Sequence, residues 1–223
     1  PALSTSGSVR LDGNAFADDE GTYNALGASL MWGLWAAKND PAKLISTLDY
    51  LSPFVDYVRV LSMVGSLPYW DGRVIDPFDS DYETTLTTLL DAATERGLRV
   101  QVVLFADAQV MMPSHQDRRA WVRQMAVWLE AKRAAVQFVE IANESTLNGV
   151  EDDDLRELTL LWDEISEIPV APSSPDGGNA DRRATYRGAN DGRRGQSRAT
   201  GGGGSLHLSW VGRVVRPGEQ DRH

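Results

Sequence analysis

The chain alternates short apolar segments with longer amphipathic ones, and this alternation restricts its fold more than any other feature. It is typical of repeated strand–helix units around a parallel sheet. Strands in such a sheet are covered on both faces, so they are apolar almost throughout. Five strands are predicted on this basis, at residues 25–34, 55–63, 98–106, 136–143 and, more weakly marked, 168–172.

The segments between these strands carry the end signals of helices. Asp40 followed by Pro41 predicts an N-cap and a first-turn proline. Gly97 follows a long amphipathic stretch and is suited to the left-handed conformation that ends many helices. The acidic residues from 151 to 154 suit the positive end of a helix dipole, which explains them better than calcium binding does. Helices are therefore predicted from Asp40 to about residue 51, and at 79–96, 114–133 and 152–166.

These units predict an α/β fold of the (β/α)8 TIM-barrel type. The alternative is an open doubly wound sheet, but no Gly-x-Gly-x-x-Gly turn follows the first strand and no phosphate loop occurs. With 223 residues the chain is shorter than the about 250 of a typical barrel. We therefore expect an incomplete barrel or one with a degenerate C-terminal part, with barrel units over 1–172, a flexible Gly- and Arg-rich segment over 173–204, and a sixth strand with a tail over 205–223.

Composition and charge disfavour several classes of function. Residues 1–180 carry 13 Lys and Arg against 28 Asp and Glu, so the main body repels nucleic acid and anionic membranes. Residues 181–223 carry 9 Arg against 4 acids but few aromatics, which makes nucleic-acid binding by this tail a minor alternative. The sequence contains no membrane-length apolar run, no cysteine and no clustered metal ligands, so we expect no metal and no cofactor. Pro1 begins the chain without Met, which leaves removal of an export signal, and hence an extracellular location, open.

An Asn-Glu pair, Asn143 and Glu144, stands at the end of the fourth predicted strand, and Arg59 lies near the end of the second. In barrels the active site lies at the carboxyl ends of the strands. The pairing of Arg59 (YVRVL) with Asn143 and Glu144 (EIANES) resembles the cellulase-like clan of retaining glycoside hydrolases, over roughly residues 11–170. Many members of the clan have Pro after this Glu, whereas this chain has Ser145.

The resemblance implies a role for each of these residues. Glu144 would be the acid/base, Asn143 would bind the sugar 2-hydroxyl, and Arg59 would hold the nucleophile ionised. An ion pair inside the barrel is an equally good explanation of Arg59. His207 is similar in position to an active-site His of the clan's sixth strand, although a surface histidine is the commoner case. The clan's nucleophile comes from the seventh strand, and no residue of this sequence is assigned to it.

Aromatic residues near the predicted strand ends could stack on sugar rings. Trp32 and Trp35 end the first predicted strand, and Tyr69 and Trp70 follow the second. Trp121, Trp128 and Trp162 lie within predicted helices and are expected in the core instead.

Two functions remain open from the sequence. The first is a retaining glycosidase that acts on β-linked polysaccharide or oligosaccharide. The second is a non-catalytic barrel relative that binds carbohydrate or serves in a structural assembly. The missing seventh strand has three explanations: a fragment, a degraded C-terminal segment, or a relative that keeps only the scaffold. Neither the substrate sugar nor the oligomeric state can be read from the sequence.

Overall fold

A computed structural model of the protein describes residues 6–173, with the backbone but not the side chains of Tyr69 and Ser173. The predicted sixth strand, the Arg-rich segment and His207 lie outside the described residues. Within the described range no helix combines the length and the apolar character needed to cross a bilayer.

Five parallel strands form one sheet, and their order in the sheet is their order in the chain. A doubly wound sheet would reverse direction at a switch point, whereas this progression is that of a barrel. The alternative of a doubly wound sheet is therefore wrong, and the described residues form the first five strands of a (β/α)8 barrel with the helices that join them. Its strands are β4 (Gly27–Ser29), β5 (Tyr57–Leu61), β6 (Arg99–Phe105), β7 (Val136–Ala142) and β8 (Val170–Ser173).

Helices connect these strands. Those at 41–51, 115–130 and 152–165 begin within one residue of the predicted position, the one at 82–94 begins three residues later, and the short helices at 33–39 and 108–111 were not predicted. The side chain of Asp40 accepts a hydrogen bond from the backbone N–H of Lys43, and Gly97 has the left-handed φ of +70°. Ser114 likewise caps its helix by accepting from the N–H of Asp117. The helices are α1 (Gly33–Asn39), α2 (Pro41–Leu51), α3 (Tyr82–Thr94), α4 (Ala108–Met111), α5 (His115–Glu130) and α6 (Asp152–Ile165), with short 3-10 helices at Pro68–Trp70 and Arg133–Ala135.

The core lies between the sheet and the helices. All seven residues of β6 and of β7 are buried, as expected for strands covered on both faces. Trp162 is fully buried and satisfies its indole N–H by donating to the carbonyl of Ile168 at 3.1 Å. Trp121 packs edge-on against Tyr82, and Trp128 lies half-buried against the core. The prediction that these tryptophans belong to the core is confirmed.

The first predicted strand, 25–34, is too long. Strand β4 ends at Ser29, and α1 begins at Gly33, so Trp32 is the helix N-cap and Trp35 lies within the helix. The apolar run crosses the end of a strand, a turn and the start of a helix, because Leu34 faces the core from α1. The prediction that Trp32 and Trp35 end the first strand is therefore wrong.

A small antiparallel sheet precedes the barrel, and the sequence analysis did not anticipate it. Its side chains reach the first residues of β6 and β7: Arg99 donates to Asp18 at 2.8 Å and to the Tyr23 hydroxyl at 2.7 Å, and Phe16 stacks on Phe138 at 5.7 Å. The sheet therefore covers the amino ends of the barrel strands, opposite the expected active-site end. Its strands are β1 (Arg10–Asp12), β2 (Ala15–Asp18) and β3 (Gly21–Tyr23).

The four acidic residues at the start of α6 were predicted to be solvated, and three of them are. Glu151, Asp152 and Asp153 are exposed, as expected. Asp154 is instead half-buried against α5, where it accepts from Arg118 at 2.6 Å and contacts His115. These ion pairs join α5 to α6.

Candidate active site

Glu144 follows β7 at the carboxyl end of the sheet. The N–H of Asn143 donates to the carbonyl of Phe105 at 2.8 Å, which continues the pairing of β6 with β7 for one more residue. Glu144 then turns away with a positive φ of 40°, which is rare for a residue that carries a side chain. Asn148 stabilises this turn because its side-chain amide donates to the carbonyl of Asn143 at 2.7 Å.

Arg59 and Glu140 form an ion pair on the inner side of the sheet. The Nε and Nη2 atoms of Arg59 each donate to one carboxylate oxygen of Glu140 at 2.9 Å, the two-pronged geometry that suits a guanidinium. Nη2 also donates to the side-chain oxygen of Asn143 at 2.9 Å. Gln101 donates to Glu140 at 2.6 Å. The structure thus brings three neighbouring strands together through one polar layer.

The Asn143 side chain points its amide group towards Glu144. Its oxygen accepts from Arg59, so its nitrogen must face the other way, and Nδ2 lies 3.4 Å from Oε2 of Glu144. Asn143 is 8% exposed, whereas Glu144 is half-buried and reaches solvent. The arrangement offers a solvent-accessible carboxyl group beside a fixed amide.

An aromatic layer lies beneath this polar layer. Tyr57 packs edge-on against Phe138 at 5.8 Å, and its ring fills the space where a Cβ on Gly27 would lie. Burial, together with the negative charge of Glu140, raises the pKa of Tyr57 well above its usual value, so the phenol stays protonated even in basic solution. The aromatic layer beneath the polar layer therefore carries no charge.

Glu140 and Gln101 are site residues that the sequence analysis missed. A carboxylate inside an apolar strand is costly unless it is paired. The charges of Glu140 in VQFVEIA and of Arg59 in YVRVL were the available signal, since each needs a partner within the same sheet. The register of β5, β6 and β7 brings the two side chains together, and the spacing of residues along the chain does not reveal that register.

Asp107 is a second polar residue missed at this end of the sheet. It follows β6, is fully buried, and accepts from the N–H of Gly65 at 2.7 Å. This bond ties the loop after β5 to the loop after β6. Its role is consistent with holding the rim of the site rather than with contact to a substrate.

Three of the four aromatic residues that the sequence analysis predicts to stack on sugar rings lie together, and the side chain of the fourth, Tyr69, is outside the described part of the structure. Trp32 and Trp70 both follow carboxyl ends of strands and meet edge-on at 5.0 Å. The guanidinium of Arg73 lies 5.1 Å from the ring centre of Trp32 and 5.8 Å from that of Trp35. The three tryptophans therefore form one cluster with Arg73 at the carboxyl end of the sheet, which is also the end where Asn143 and Glu144 lie.

The described residues have the fold of the barrel glycoside hydrolases. An endo-1,4-β-mannanase from Rhizomucor miehei superposes with a TM-score of 0.56 at 13% identity, over 74% of this chain and 60% of that one. An exo-β-1,4-mannosidase from an Opitutaceae bacterium gives 0.52 at 18% identity, over 70% of this chain and 32% of that one. A glycoside hydrolase of family 5 from Bacteroides vulgatus gives 0.55 at 12% identity, over 73% of this chain and 38% of that one.

These structures confirm the resemblance to the cellulase-like clan at the level of the fold. No protein-family model matches the sequence, and no curated protein is detectably similar to it. The chain spans about a third to three-fifths of the three structures. Identities of 12 to 18% establish shared architecture and not shared activity.

Proposed function

We propose that the protein is a glycoside hydrolase that cleaves β-linked polysaccharide or oligosaccharide by a retaining mechanism, with Glu144 as the acid/base. The observation that carries this proposal is the position of Glu144. It is a solvent-accessible carboxyl group at the carboxyl end of a barrel strand, and Asn143 precedes it with its amide held in place by Arg59. Active sites of barrel enzymes occupy this end of the sheet.

The chemistry needs one carboxyl group that first donates and then removes a proton. Glu144 would protonate the leaving glycosidic oxygen and afterwards take a proton from the attacking water. Asn143 would bind the sugar 2-hydroxyl, a contact that strengthens in the transition state. Arg59 would keep that amide correctly oriented, in addition to the contact with a nucleophile that the clan resemblance implies.

Backbone strain at Glu144 supports a functional role. A left-handed conformation costs a residue with a Cβ about 1–2 kcal/mol. Such strain tends to persist where it serves a site. Glycine would avoid this cost, so the presence of Glu suggests that the carboxyl group itself is needed.

The nucleophile has no candidate among residues 6–173. A retaining enzyme needs two carboxyl groups about 5–5.5 Å apart, both of which reach the substrate. Glu140 is excluded as the second carboxylate because it lies within β7 and its side chain is only 3% exposed. Both oxygens of Glu140 are also engaged by Arg59 and Gln101.

A second candidate function is a carbohydrate-binding barrel without catalysis, and the observation that favours it is the cluster of Trp32 and Trp70 with Arg73. Trp32, Trp35, Tyr69 and Trp70 would supply stacking surfaces in either case. His207 remains a proposed site residue of the enzyme only. The two functions differ in whether Glu144 turns a substrate over.

Hydrolysis of aryl β-glycosides by wild type and by Glu144→Gln distinguishes the two functions. Because two of the similar structures are named as β-1,4-mannan or mannoside hydrolases, the panel includes β-mannosides as well as β-glucosides and β-galactosides. We expect Glu144→Gln to lower kcat by about 10²- to 10⁴-fold, the range for general acid/base groups. The control is Glu164→Gln, which alters an exposed carboxylate of α6 and should leave kcat unchanged.

Equal activity of wild type and Glu144→Gln would end the assignment of the acid/base. If both proteins bind a β-linked oligosaccharide and neither hydrolyses any member of the panel, the carbohydrate-binding function is correct. Calorimetric titration with mannan and cellulose oligomers measures that binding.

A further inference from the structure

Glu140 is a buried carboxylate that the proposed chemistry does not use directly. Its side chain is 3% exposed, and it lies within β7, the strand that Asn143 and Glu144 follow. Burying an unpaired carboxylate is expensive, and apolar residues of similar volume often serve a core equally well. Its contacts therefore call for a functional explanation.

The contacts of Glu140 determine where Arg59 points. One carboxylate oxygen accepts from Nε of Arg59 and from Gln101, and the other accepts from Nη2 of Arg59. With the guanidinium held in that plane, Nη2 also reaches the side-chain oxygen of Asn143. The orientation of the Asn143 amide thus depends on Glu140 through Arg59.

Gln101 supplies a second and independent observation. Gln101 is 3% exposed, and its side-chain oxygen Oε1 has no hydrogen-bond partner within the described part of the chain. A buried carbonyl oxygen without a partner destabilises a fold. An apolar residue would avoid this cost, whereas only a donor at this position can hold Glu140.

We propose that Glu140 is a positioning residue that, through Arg59, turns the Asn143 amide towards the substrate and Glu144, with Gln101 holding Glu140 in place. The proposal rests on the proposed function for its catalytic consequence. Glu140 acts through Arg59 and touches no substrate. The polar layer across β5, β6 and β7 is then part of the machinery of the site and not only a structural ion pair.

The substitution Glu140→Gln tests the proposal with little change in volume. Either orientation of the new amide sets an NH2 group against at least one donor of Arg59 or Gln101, so the guanidinium shifts. We expect kcat to fall by about 100-fold, the effect of a misplacement of about 1 Å, while KM changes little. In an Asn143→Ala background the same substitution should change kcat by less than about threefold, because residues acting as one unit are not additive.

Asp18→Asn is the matched control for a loss of stability. It breaks another buried arginine–carboxylate pair, Arg99–Asp18, which has side chains 2% and 5% exposed and lies at the amino end of the strands. It should lower the melting temperature as Glu140→Gln does and leave kcat unchanged. An equal loss of kcat in both variants would reduce the role of Glu140 to stability and overturn the proposal.

Two further measurements keep the proposal testable if Glu140→Gln does not fold or if wild type shows no hydrolysis. Gln101→Met removes the donor and the unpaired oxygen together, so it should fold stably and lower kcat about tenfold. The side-chain amide NMR signals of Asn143, identified by their loss in Asn143→Ala, should shift in Glu140→Gln and Gln101→Met but not in Asp18→Asn.

The amide signals separate this proposal from the proposed function. If wild type is inactive and the Asn143 signals shift in Glu140→Gln and Gln101→Met, the hydrolase assignment is wrong but the positioning role of Glu140 is correct. Unchanged signals in both variants, or a kcat loss that is the same in the Asn143→Ala background, would overturn the positioning role of Glu140.

Discussion

Replacing Glu144 with glycine should give a more stable protein than replacing it with alanine. Both substitutions remove the carboxyl group and its contact with Asn143, so their difference isolates the backbone. The φ of residue 144 is +40°. Alanine keeps the left-handed strain of about 1–2 kcal/mol, whereas glycine has none.

The expected difference follows from two opposing terms. Glycine relieves the strain but loses about 0.5–1 kcal/mol through its greater freedom in the unfolded chain. The middle of each range gives a net advantage of Glu144→Gly over Glu144→Ala of about 0.75 kcal/mol in the free energy of unfolding. For a domain of this size that corresponds to a melting temperature about 1–4 °C higher.

Thermal unfolding followed by circular dichroism measures this difference, and urea titration at 25 °C gives the free energy. The control pair is Arg156→Gly and Arg156→Ala, at an exposed position inside α6. There the order must reverse, with glycine less stable by about 1 kcal/mol, because a helix interior disfavours it. If Glu144→Ala is as stable as Glu144→Gly while the Arg156 pair behaves as stated, residue 144 is not strained, and the inference drawn from its backbone is wrong.

Two further predictions concern the parts of the fold that support the site. Asp18→Asn should cost about 3 kcal/mol at neutral pH by leaving Arg99 buried without its anion. Burial raises the pKa of Asp18, but hydrogen bonds from Arg99 and from two backbone N–H groups outweigh it and lower the pKa below its usual value. The stabilisation is therefore present above about pH 4 and is lost as the pH falls through the folded-state pKa. The difference in the free energy of unfolding between wild type and Asp18→Asn, measured by urea titration, should therefore become smaller from pH 6 to pH 3. A difference that stays constant over this range contradicts the prediction. Gly149→Ala should destabilise more than Gly13→Ala in the same assay: both have positive φ, but the new Cβ at 149 would lie 2.9 Å from the backbone N of Gln109, and the one at 13 meets nothing within 4 Å. Equal losses would exclude that close approach.

The amino-acid sequence by itself determined most of the barrel units. The strands at 55–63, 98–106 and 136–143 were predicted to within two residues at each end because apolar runs and helix caps are local signals. The position of Glu144 after the fourth strand followed from the same local reasoning. The resemblance to barrel glycoside hydrolases needed only these residues, and the solved structures confirm it for the fold.

Local pattern was misleading where one apolar run served two elements. In residues 25–34 the strand, the turn and the start of α1 are all partly apolar, so Trp32 and Trp35 were placed at a strand end and not at a helix start. The small sheet at 10–23 was not predicted because its strands are only three or four residues long and half of their residues are exposed, which leaves little periodicity to detect.

Only the tertiary structure decided which charges meet. Arg59 and Glu140 are 81 residues apart, and their contact depends on the register of β5, β6 and β7 and on the direction in which each side chain leaves the sheet. Register arises from the packing of the whole sheet against its helices, because a slip of one residue would turn every side chain to the other face. The strained turn at Glu144 and the support of Asn143 by Glu140 are products of that packing, and no local feature of the chain specifies them.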